Sequence, residues 1–265
     1  MAKYHFEGKT AVITGASGGI GKAIAMRLAR EKANLVLSGR DVPKLKSVAG
    51  EAARMGVEAM VIPADVTQTE QIRAMIKQAM AHFGRIDILI CNAGYYLRCP
   101  VAGLSIDALK MVMDINFYGA VYPLFEVLPI MQQQGSGHIV MISSVDGKKG
   151  LPPDGAYVAS KFAMTGLCDV LRQELHGTGI DVSTIFPARV DTAMVADLNV
   201  PTVGPKMKPE KVANAVVRAI NRRKAEVVVP RLGPGALLWL NFISPRLGDW
   251  AVRFFKLSGW EKTTF

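Results

Sequence analysis

Tyr157 and Lys161 are the residues whose types and spacing first suggest chemistry. They lie four residues apart at the start of a helical pattern, so they share one helix face. A phenol loses its proton near pH 10, and lowering its pKa to about 7 requires roughly 4 kcal/mol. One exposed ion pair contributes only about 0.2 to 1 kcal/mol. Lys161 can therefore make Tyr157 an acid or base at neutral pH only together with a second positive charge or strong desolvation.

Ser144 adds a hydroxyl group to this pair. It lies thirteen residues before Tyr157 and follows the apolar run 138–142, which predicts a buried strand. A hydroxyl at the end of a strand can meet a phenol at the start of the next helix. Many surface helices carry a tyrosine and a lysine four residues apart by chance, so the surrounding elements must decide whether a site exists.

A glycine-rich turn near the start of the chain is the second chemical signal. The predicted strand 9–13 is followed by Gly15, Gly19 and Gly21, and then by the helical pattern 24–30. Glycines let the backbone approach a pyrophosphate closely, and a helix N-terminus adds free N–H donors. The spacing differs from the common G-x-G-x-x-G pattern, so a tight turn without a ligand is the alternative.

The rest of the chain alternates between predicted strands and helices. The further strands are predicted at 34–38, 59–63, 86–91, 138–142, 181–186 and 226–229, and the further helices at 42–54, 68–83, 104–134, 157–176 and 211–223. This alternation favours right-handed parallel crossovers. We predict an α/β fold, a Rossmann-like doubly wound parallel sheet of about seven strands in three layers. Within 104–134, Asn116 and Gly119 interrupt the pattern, and Pro123 is expected to mark a kink or boundary.

The end of the second predicted strand discriminates between dinucleotides. An acidic residue there would bind the ribose hydroxyls of NAD and repel the extra phosphate of NADP. Gly39 stands at that point, and Arg40 offers a planar fork that suits a phosphate. The sequence therefore favours NADP(H), with NAD(H) as the alternative because Asp41 follows directly. Asp65, after the third strand, either meets the adenine amino group or caps the next helix.

Composition excludes several classes of protein. Hydrophobic residues make up 50% of the 265 residues and charged residues 20%, which predicts a globular chain. The three cysteines are odd in number and lack metal-ligand spacing, which is typical of a reducing compartment, and we expect no metal site. The first residues lack the layout of a secretory signal, so a cytoplasmic location is expected.

The positive charge lies mostly near the C-terminus. The chain carries a net charge of +10, and from Val200 onward twelve Lys or Arg face four Asp or Glu. Residues 230–265 are apolar, aromatic and basic together, so we predict a catalytic domain at 1–229 and a basic amphipathic extension of it at 230–265. The apolar run 236–243 is too short to cross a bilayer. No nucleic-acid recognition motif accompanies the charge.

A helix beginning at Pro245 is predicted within this extension, with Leu247, Trp250, Ala251, Phe254 and Phe255 on one face. This face could pack on its own subunit or in an oligomer interface. It could also lie in a membrane surface or beside a channel for an apolar substrate. Either arrangement favours a lipophilic substrate. The stretch 187–209 is predicted as a mobile substrate lid, with a plain surface loop as the alternative.

With these segments assembled, the chain resembles the short-chain dehydrogenase/reductase family over residues 7–229. The pieces that carry the resemblance are Thr14-Gly15-x-x-x-Gly19-Ile20-Gly21, Asp65-Val66, Asn92-Ala93-Gly94, Asn116, Ser144, Tyr157-x-x-x-Lys161 and Pro187 through Thr192. Each piece is modest, but their order and spacing together are specific. The departures are Cys91 at a usual asparagine, Ala188 at a usual glycine, and the absence of a basic residue at Ser17-Gly18 that many NADP users carry.

The resemblance implies a catalytic set of Asn116, Ser144, Tyr157 and Lys161. Tyr157 would be the general acid or base, Ser144 would hold the substrate oxygen, and Lys161 would bind the nicotinamide ribose. Asn116 would hold a water that links Lys161 to solvent. The residues implied to bind the cofactor are Gly15, Ser17, Gly19, Ile20, Gly21, Arg40, Asp65, Val66, Asn92, Ala93, Gly94, Tyr157, Lys161, Pro187, Val190 and Thr192.

Three functions follow as hypotheses. The first is an NADP(H)-dependent oxidoreductase that interconverts the carbonyl and alcohol groups of a hydrophobic substrate. The second is a 3-oxoacyl-thioester reductase whose basic extension docks an acidic carrier protein. The third, from another class, is a catalytically idle cofactor-binding scaffold. The resemblance also implies a homodimer or homotetramer.

Overall fold

A seven-stranded parallel sheet forms the centre of the protein, which the computed structural model describes for residues 4–201 and 204–261. The strands are β1 (Thr10–Thr14), β2 (Asn34–Ser38), β3 (Ala59–Val61), β4 (Ile88–Cys91), β5 (Gly137–Ile142), β6 (Ile180–Pro187), β7 (Leu198–Asn199), β8 (Glu226–Val229) and β9 (Trp260–Glu261). The helices are α1 (Gly19–Arg30), α2 (Val42–Ala53), α3 (Thr69–Phe83), α4 (Ile106–Met113), α5 (Gly119–Gln134), α6 (Gly155–Glu174), α7 (Pro209–Arg222), α8 (Pro234–Ile243) and α9 (Pro245–Phe254).

The strand order of the large sheet is β3-β2-β1-β4-β5-β6-β8, and every neighbouring pair is parallel. This is a doubly wound α/β sheet, so the predicted fold class is confirmed. The order reverses between β1 and β4, where loops leave the sheet in opposite directions and open a crevice. β7 and β9 form a separate antiparallel ribbon.

Two hydrophobic cores cover the two faces of the sheet. Strand side chains alternate between faces, so Ile13 packs in one core and its neighbour Val12 in the other. Ile13 shares its core with apolar residues of α1, α2 and α7. Val12 shares the opposite core with residues of α3, α5 and α6. The carboxyl ends of the parallel strands remain open between the helical layers.

The long helical region 104–134 is interrupted at Asn116. A π-helical turn at Asp114–Tyr118 separates α4 from α5, and Asn116 is fully buried within it. The predicted boundary at Pro123 is wrong, because α5 continues through Pro123 and Pro129. The extra residue of a π turn rotates the helix relative to its neighbours, and such turns are frequent at functional sites. Here the turn directs Asn116 inward.

The predicted lid is partly ordered by short elements. The segment after β6 contains a 3-10 turn at Ala193–Val195 and strand β7, and Val190 pairs with Met207. Residues 202 and 203 of the predicted lid lie outside the described residues, as do 1–3 and 262–265.

Helices α8 and α9 pack against each other through small residues. Ala251 and Val252 of α9 and Leu237 of α8 form a small core, which Leu151 and Leu257 flank. The aromatic residues that the sequence placed on the apolar face of α9 are not covered by this contact, as Trp250 and Phe254 are exposed. No helix within the described ranges is long and apolar enough to span a membrane. The division at residue 229 stays a prediction.

Candidate active site

A cleft of about 390 Å³ opens at the carboxyl edge of the sheet, beside the point where the strand order reverses. Thirteen of the predicted site residues line it, and they come from six segments of the chain. They are Gly15, Ser17, Gly19, Ile20, Arg40, Asp65, Val66, Asn92, Ala93, Gly94, Tyr157, Lys161 and Thr192. The other predicted residues, Gly21, Asn116, Ser144, Pro187 and Val190, lie outside its lining.

The glycine turn between β1 and α1 forms one wall of the cleft. Gly15 and Gly19 have φ angles of +65° and +53°, which favour glycine. A Cβ atom on Gly21 would lie 2.1 Å from the Gly15 carbonyl oxygen, so only glycine fits there. The Asn92 side chain donates to the carbonyl oxygens of Thr14 and Gly15, both at 3.1 Å. The turn is therefore held against the end of β4, with the N-terminus of α1 facing the cleft.

Two cations line the cleft near the end of β2. Arg40 is 79% exposed at its side chain and lies 3.9 Å from the Asp65 carboxylate. Lys44 follows on the first turn of α2, and its ammonium pairs with Asp41 at 2.7 Å. Asp41 also caps α2 by accepting from the Lys44 backbone N–H, so its carboxylate is engaged away from the cleft. Lys44 was missed at the sequence level because its side chain was counted only as part of a helix.

Asp65 shapes the turn before α3 rather than capping that helix. Its carboxylate accepts from the backbone N–H and the hydroxyl of Thr67, at 3.0 and 2.8 Å. Gln68 occupies the N-cap position, so the helix-cap alternative for Asp65 is wrong. The hydrogen bond from the Thr67 N–H holds the pKa of Asp65 below its usual value, and Arg40 contributes in the same direction. Asp65 is therefore a carboxylate at the cleft wall.

Tyr157 and Lys161 lie one turn apart on α6 and reach the floor of the cleft. The Lys161 ammonium is 5.6 Å from the centre of the Tyr157 ring, and it donates to the Ile142 carbonyl oxygen at 2.9 Å. Ser144, directly after β5, is buried and close enough to Tyr157 to influence the pKa of its phenol. The structure thus brings together the three residues that the sequence separated by up to seventeen positions.

Burial changes the pKa values in this cluster. It raises the pKa of Tyr157 above its ordinary value, the nearby Asp146 adds to the rise, and Ser144 opposes it. Burial also lowers the pKa of Lys161 to about 8. The predicted lowering of the phenol pKa by Lys161 together with a second positive charge stays a prediction.

Asn116 organises the loop that follows β4. Its side-chain oxygen accepts from the Tyr95 N–H at 2.6 Å, and its amide donates to the Tyr95 carbonyl oxygen and the Ser160 hydroxyl, each at 2.9 Å. A Cβ atom on Gly94 would lie 3.3 Å from the side-chain oxygen of Asn116 and 3.9 Å from the ammonium of Lys161, so both side chains lie close to this glycine. The predicted role of Asn116 in a water relay stays a prediction.

A group of polar residues beside Tyr157 was missed at the sequence level. Tyr96 packs edge-on against Tyr157, with ring centroids 5.1 Å apart, and its hydroxyl donates to Asp154 at 2.9 Å. Arg98 donates to the Tyr96 hydroxyl and to the carbonyl oxygen of Ser258 beyond α9. Tyr96 lies two positions after Gly94, and Asp154 lies three positions before Tyr157, so both were close to recognised motifs, but no sequence pattern joins the two segments.

Pro187 and Val190 pair with neighbouring backbone segments and do not line the cleft. Pro187 ends β6 and pairs with Val229, and Val190 is buried beside Met207. Their predicted contact with a cofactor is not tested by this geometry. Thr192 is the member of this segment that lines the cleft, and its side chain lies 3.0 Å from the position that a Cβ of Gly19 would occupy.

The sequence of the chain matches a known protein family over most of the sheet. The family model described as short chain dehydrogenase matches residues 9–202. The chain belongs to the short-chain dehydrogenase/reductase family. Its recognition from the sequence is confirmed, and the protein is an oxidoreductase of this family. Within the described residues, no group of three or more His, Cys, Asp or Glu side chains is placed to hold a metal ion.

Two relatives in this family have similar sequences. An uncharacterised oxidoreductase of Staphylococcus aureus is 39% identical over 216 residues, which cover 82% of this chain and 92% of the relative. The ketoacyl reductase HetN of Nostoc is 39% identical over 225 residues, which cover 84% of this chain and 78% of the relative.

Two solved short-chain dehydrogenase/reductase structures are also similar. An alcohol dehydrogenase of Thermococcus sibiricus, complexed with 5-hydroxy-NADP, has a TM-score of 0.76 at 29% identity and covers 83% of this chain and 95% of its own. A family member from Burkholderia phymatum, in complex with NAD, has a TM-score of 0.85 at 27% identity and covers 92% of this chain and 96% of its own.

Proposed function

We propose that this protein is an NADP(H)-dependent oxidoreductase that reduces the carbonyl group of a hydrophobic ketone or aldehyde, or oxidises the corresponding alcohol. The observation that carries the proposal is that Tyr157 and Lys161 lie at the floor of a cleft whose wall is a glycine turn, with Ser144 close behind Tyr157. A proton donor, a second hydroxyl and a buried ammonium are the groups that carbonyl reduction requires.

The cleft fits a dinucleotide. The turn at Gly15 and Gly19 exposes backbone N–H groups at the N-terminus of α1, where a pyrophosphate is stabilised. Arg40 and Lys44 place two cations near the end of β2, and the carboxylate of Asp41 is engaged by α2. This charge distribution suits the additional phosphate of NADP(H). A bound nicotinamide would supply the hydride or accept it.

The side chains of this chain would then handle the proton and the substrate oxygen. Tyr157 holds a proton at its hydroxyl at neutral pH, because burial raises its pKa, and can donate it to the oxygen of a carbonyl group. Ser144 offers a second hydrogen bond at the same oxygen. Lys161 is anchored by the Ile142 carbonyl oxygen and holds positive charge below Tyr157, which favours a phenolate after the proton has left.

A 3-oxoacyl-thioester reductase is the second candidate. The name of the Nostoc relative, a ketoacyl reductase, and the basic residues of the C-terminal extension favour it. A scaffold without catalysis is the third candidate, and the assembled catalytic cluster argues against it. Turnover of a free hydrophobic ketone, but not of a carrier-bound thioester, would exclude the second candidate.

Replacement of Arg40 tests the cofactor proposal. In the reduction of a hydrophobic ketone, the wild type is expected to use NADPH in preference to NADH. Arg40→Ala is expected to raise the KM for NADPH about 10- to 100-fold, since an ionic hydrogen bond to a phosphate contributes about 1.5 to 3 kcal/mol. The KM for NADH should remain unchanged. Steady-state kinetics with both cofactors measure the effect.

Arg54→Ala is the matched control, because Arg54 is exposed at the end of α2 and outside the cleft. It should leave both KM values unchanged. Equal use of NADH by the wild type, or an Arg40→Ala variant that keeps the NADPH preference, would reject the proposed phosphate contact.

We also propose that the C-terminal extension associates with a membrane surface at the cytoplasmic side, and that the chain forms a homodimer or homotetramer. Four aromatic residues are exposed on α8 and α9, namely Trp239, Phe242, Trp250 and Phe254. Exposed cations accompany them, namely Arg231, Arg246, Arg253 and Lys256. Aromatic and basic residues on one surface are typical of binding to anionic lipid.

A second exposed set of apolar residues lies on the π turn, α5 and α6, and includes Tyr118, Phe125 and Phe162. This set favours a contact between subunits.

Replacement of Trp239, Phe242, Trp250 and Phe254 by serine should abolish co-sedimentation with vesicles that contain anionic lipid. The mass of the assembly, measured by sedimentation equilibrium, should stay that of a dimer or tetramer. Replacement of Phe125 and Phe162 by serine is the control, and it should lower the mass of the assembly without affecting vesicle binding. Wild-type protein that ignores the vesicles, or tail variants that become monomeric, would assign this surface to a subunit interface instead.

A further inference from the structure

The carboxyl group of Asp146 lies directly against the hydroxyl of Ser144. The Ser144 hydroxyl donates to Asp146 Oδ2 at 3.0 Å and accepts from the Asp146 backbone N–H at 3.1 Å. The other carboxyl oxygen, Oδ1, is shielded from solvent and has no hydrogen-bond partner among the described residues. Asp146 therefore touches the residue that is proposed to hold the substrate oxygen.

This contact creates a conflict over a single proton. A serine hydroxyl has one proton to donate. When that proton points to an ionised Asp146, Ser144 cannot donate it to a carbonyl oxygen. When Asp146 carries a proton on Oδ2, the carboxyl group donates to the Ser144 oxygen, and the serine proton is free. The protonation state of Asp146 thus decides which way the Ser144 hydroxyl points.

We propose that Asp146 is a positioning residue for carbonyl reduction, which in its protonated form turns the proton of Ser144 toward the substrate oxygen. This inference rests on the proposed function of the same site. No bond to carbon forms or breaks at Asp146, and its proton stays shared with Ser144 throughout. The neutral carboxyl group donates a hydrogen bond to the Ser144 oxygen, whereas the ionised carboxylate accepts the hydrogen bond of the Ser144 hydroxyl and so keeps it from the substrate.

The surroundings of Asp146 hold charges from several segments. Ser144 lies on its own turn, Tyr157 and Lys161 face it from α6, and Asp154 lies just before that helix. Arg98 faces it from the loop after β4, and Arg189 from the segment after β6. Burial, followed by the negative charge of Asp154, raises the pKa of Asp146 to about 7, while Ser144 and the two arginines oppose the rise. Its proton is therefore exchanged within the working pH range.

The test compares the pH dependence of ketone reduction in the wild type and in Asp146→Asn. The asparagine amide can donate permanently to the Ser144 oxygen, as the protonated acid does. The kcat/KM of the wild type for the ketone should fall about 10- to 100-fold as the pH rises through about 7, the size of effect that follows the loss of one donor to the reacting oxygen. The Asn variant should lack this fall, and any loss of activity that remains at higher pH should follow the loss of charge from Lys161. Tyr157 does not cause the fall, because burial keeps its phenol protonated across this range.

Asp154→Asn is the matched control, because this buried carboxylate accepts from Tyr96 and does not touch Ser144. It should retain the fall, displaced to lower pH because the negative charge of Asp154 helps to raise the pKa of Asp146. If the Asn variant at position 146 also keeps the fall, or if the control loses it, the inference is overturned. A merely structural role for Asp146 would lower kcat at every pH and would not remove one limb of the profile.

Infrared difference spectroscopy of the protein separates this inference from the proposed function. Between about pH 6 and pH 8 the wild type should lose a carbonyl stretching band of a protonated carboxyl group, and Asp146→Asn should lack that change. If the wild type reduces no carbonyl compound, the proposed function fails. The infrared band then decides by itself whether Asp146 takes up a proton in this pH range. A spectrum without the band would overturn the inference even for an active enzyme.

Discussion

Tyr157→Phe is expected to lower the kcat for ketone reduction by about 10³- to 10⁴-fold, the upper part of what a general acid contributes. The variant lacks the phenol that is proposed to transfer a proton to the substrate oxygen. Its ring keeps the edge-on contact with Tyr96, so the fold should not change. Affinity for NADPH, measured by fluorescence titration, should stay within about threefold of the wild type.

Tyr96→Phe provides the control for this result. It removes a hydroxyl that donates to Asp154 and lies beside the same ring, but not the proton donor. A loss of about tenfold or less is expected. If Tyr157→Phe retained a tenth of the wild-type kcat, Tyr157 would not be the acid. If neither the wild type nor Tyr157→Phe turned over any substrate, the third candidate function, a scaffold, would gain support.

Gly21→Ala is expected to weaken the binding of NADPH by about 100-fold or more, equivalent to about 2.7 kcal/mol. The added Cβ would lie 2.1 Å from the Gly15 carbonyl oxygen and 2.7 Å from the Asn92 amide. Because both neighbours are backbone or hydrogen-bonded to backbone, the turn itself must move, and overpacking of this kind costs about 1 to 3 kcal/mol in stability. Fluorescence titration gives the affinity, and thermal unfolding gives the stability.

The control for this substitution is Gly166→Ala. Gly166 lies inside α6, where an added Cβ would meet nothing within 4 Å. The change should preserve cofactor affinity and raise stability by up to about 1 kcal/mol, since alanine favours a helix over glycine. Unaltered NADPH binding by Gly21→Ala would mean that the turn accommodates a methyl group, and the proposed pyrophosphate site would have to be placed elsewhere.

The glycine turn could be predicted because its glycines act on the backbone only within the turn itself. A glycine at a positive φ angle and a helix that begins four residues later depend on the sequence within one turn, so the sequence was sufficient to place Gly15 and Gly19. The boundary expected at Pro123 was wrong because it was inferred from a local signal, whereas the position of the interruption is not decided locally. The π turn at Asp114–Tyr118 is a tertiary feature, and a proline inside α5 is tolerated there.

The sign of a pKa shift was beyond local reasoning. The sequence placed an ammonium one turn from Tyr157, which favours a lowered phenol pKa but as a single ion pair is too weak to fix it. Burial depends on what the whole chain packs around the ring, and it raises the pKa instead. The same holds for α9. Its helical pattern was local, but which of its residues are covered depends on α8, so the small Ala251 is buried and the aromatic Trp250 is exposed.

The sequence by itself determined the family, the doubly wound sheet and the residues Ser144, Tyr157 and Lys161, because periodicity and short motifs are written in neighbouring positions. Only the tertiary structure decided that Tyr96 covers Tyr157 and that the Asn116 amide donates to the Ser160 hydroxyl. These contacts join residues separated by 61 and 44 positions of the printed sequence. Such pairs carry no periodic signal, and they form only when parallel strands bring their carboxyl ends to one edge of the sheet.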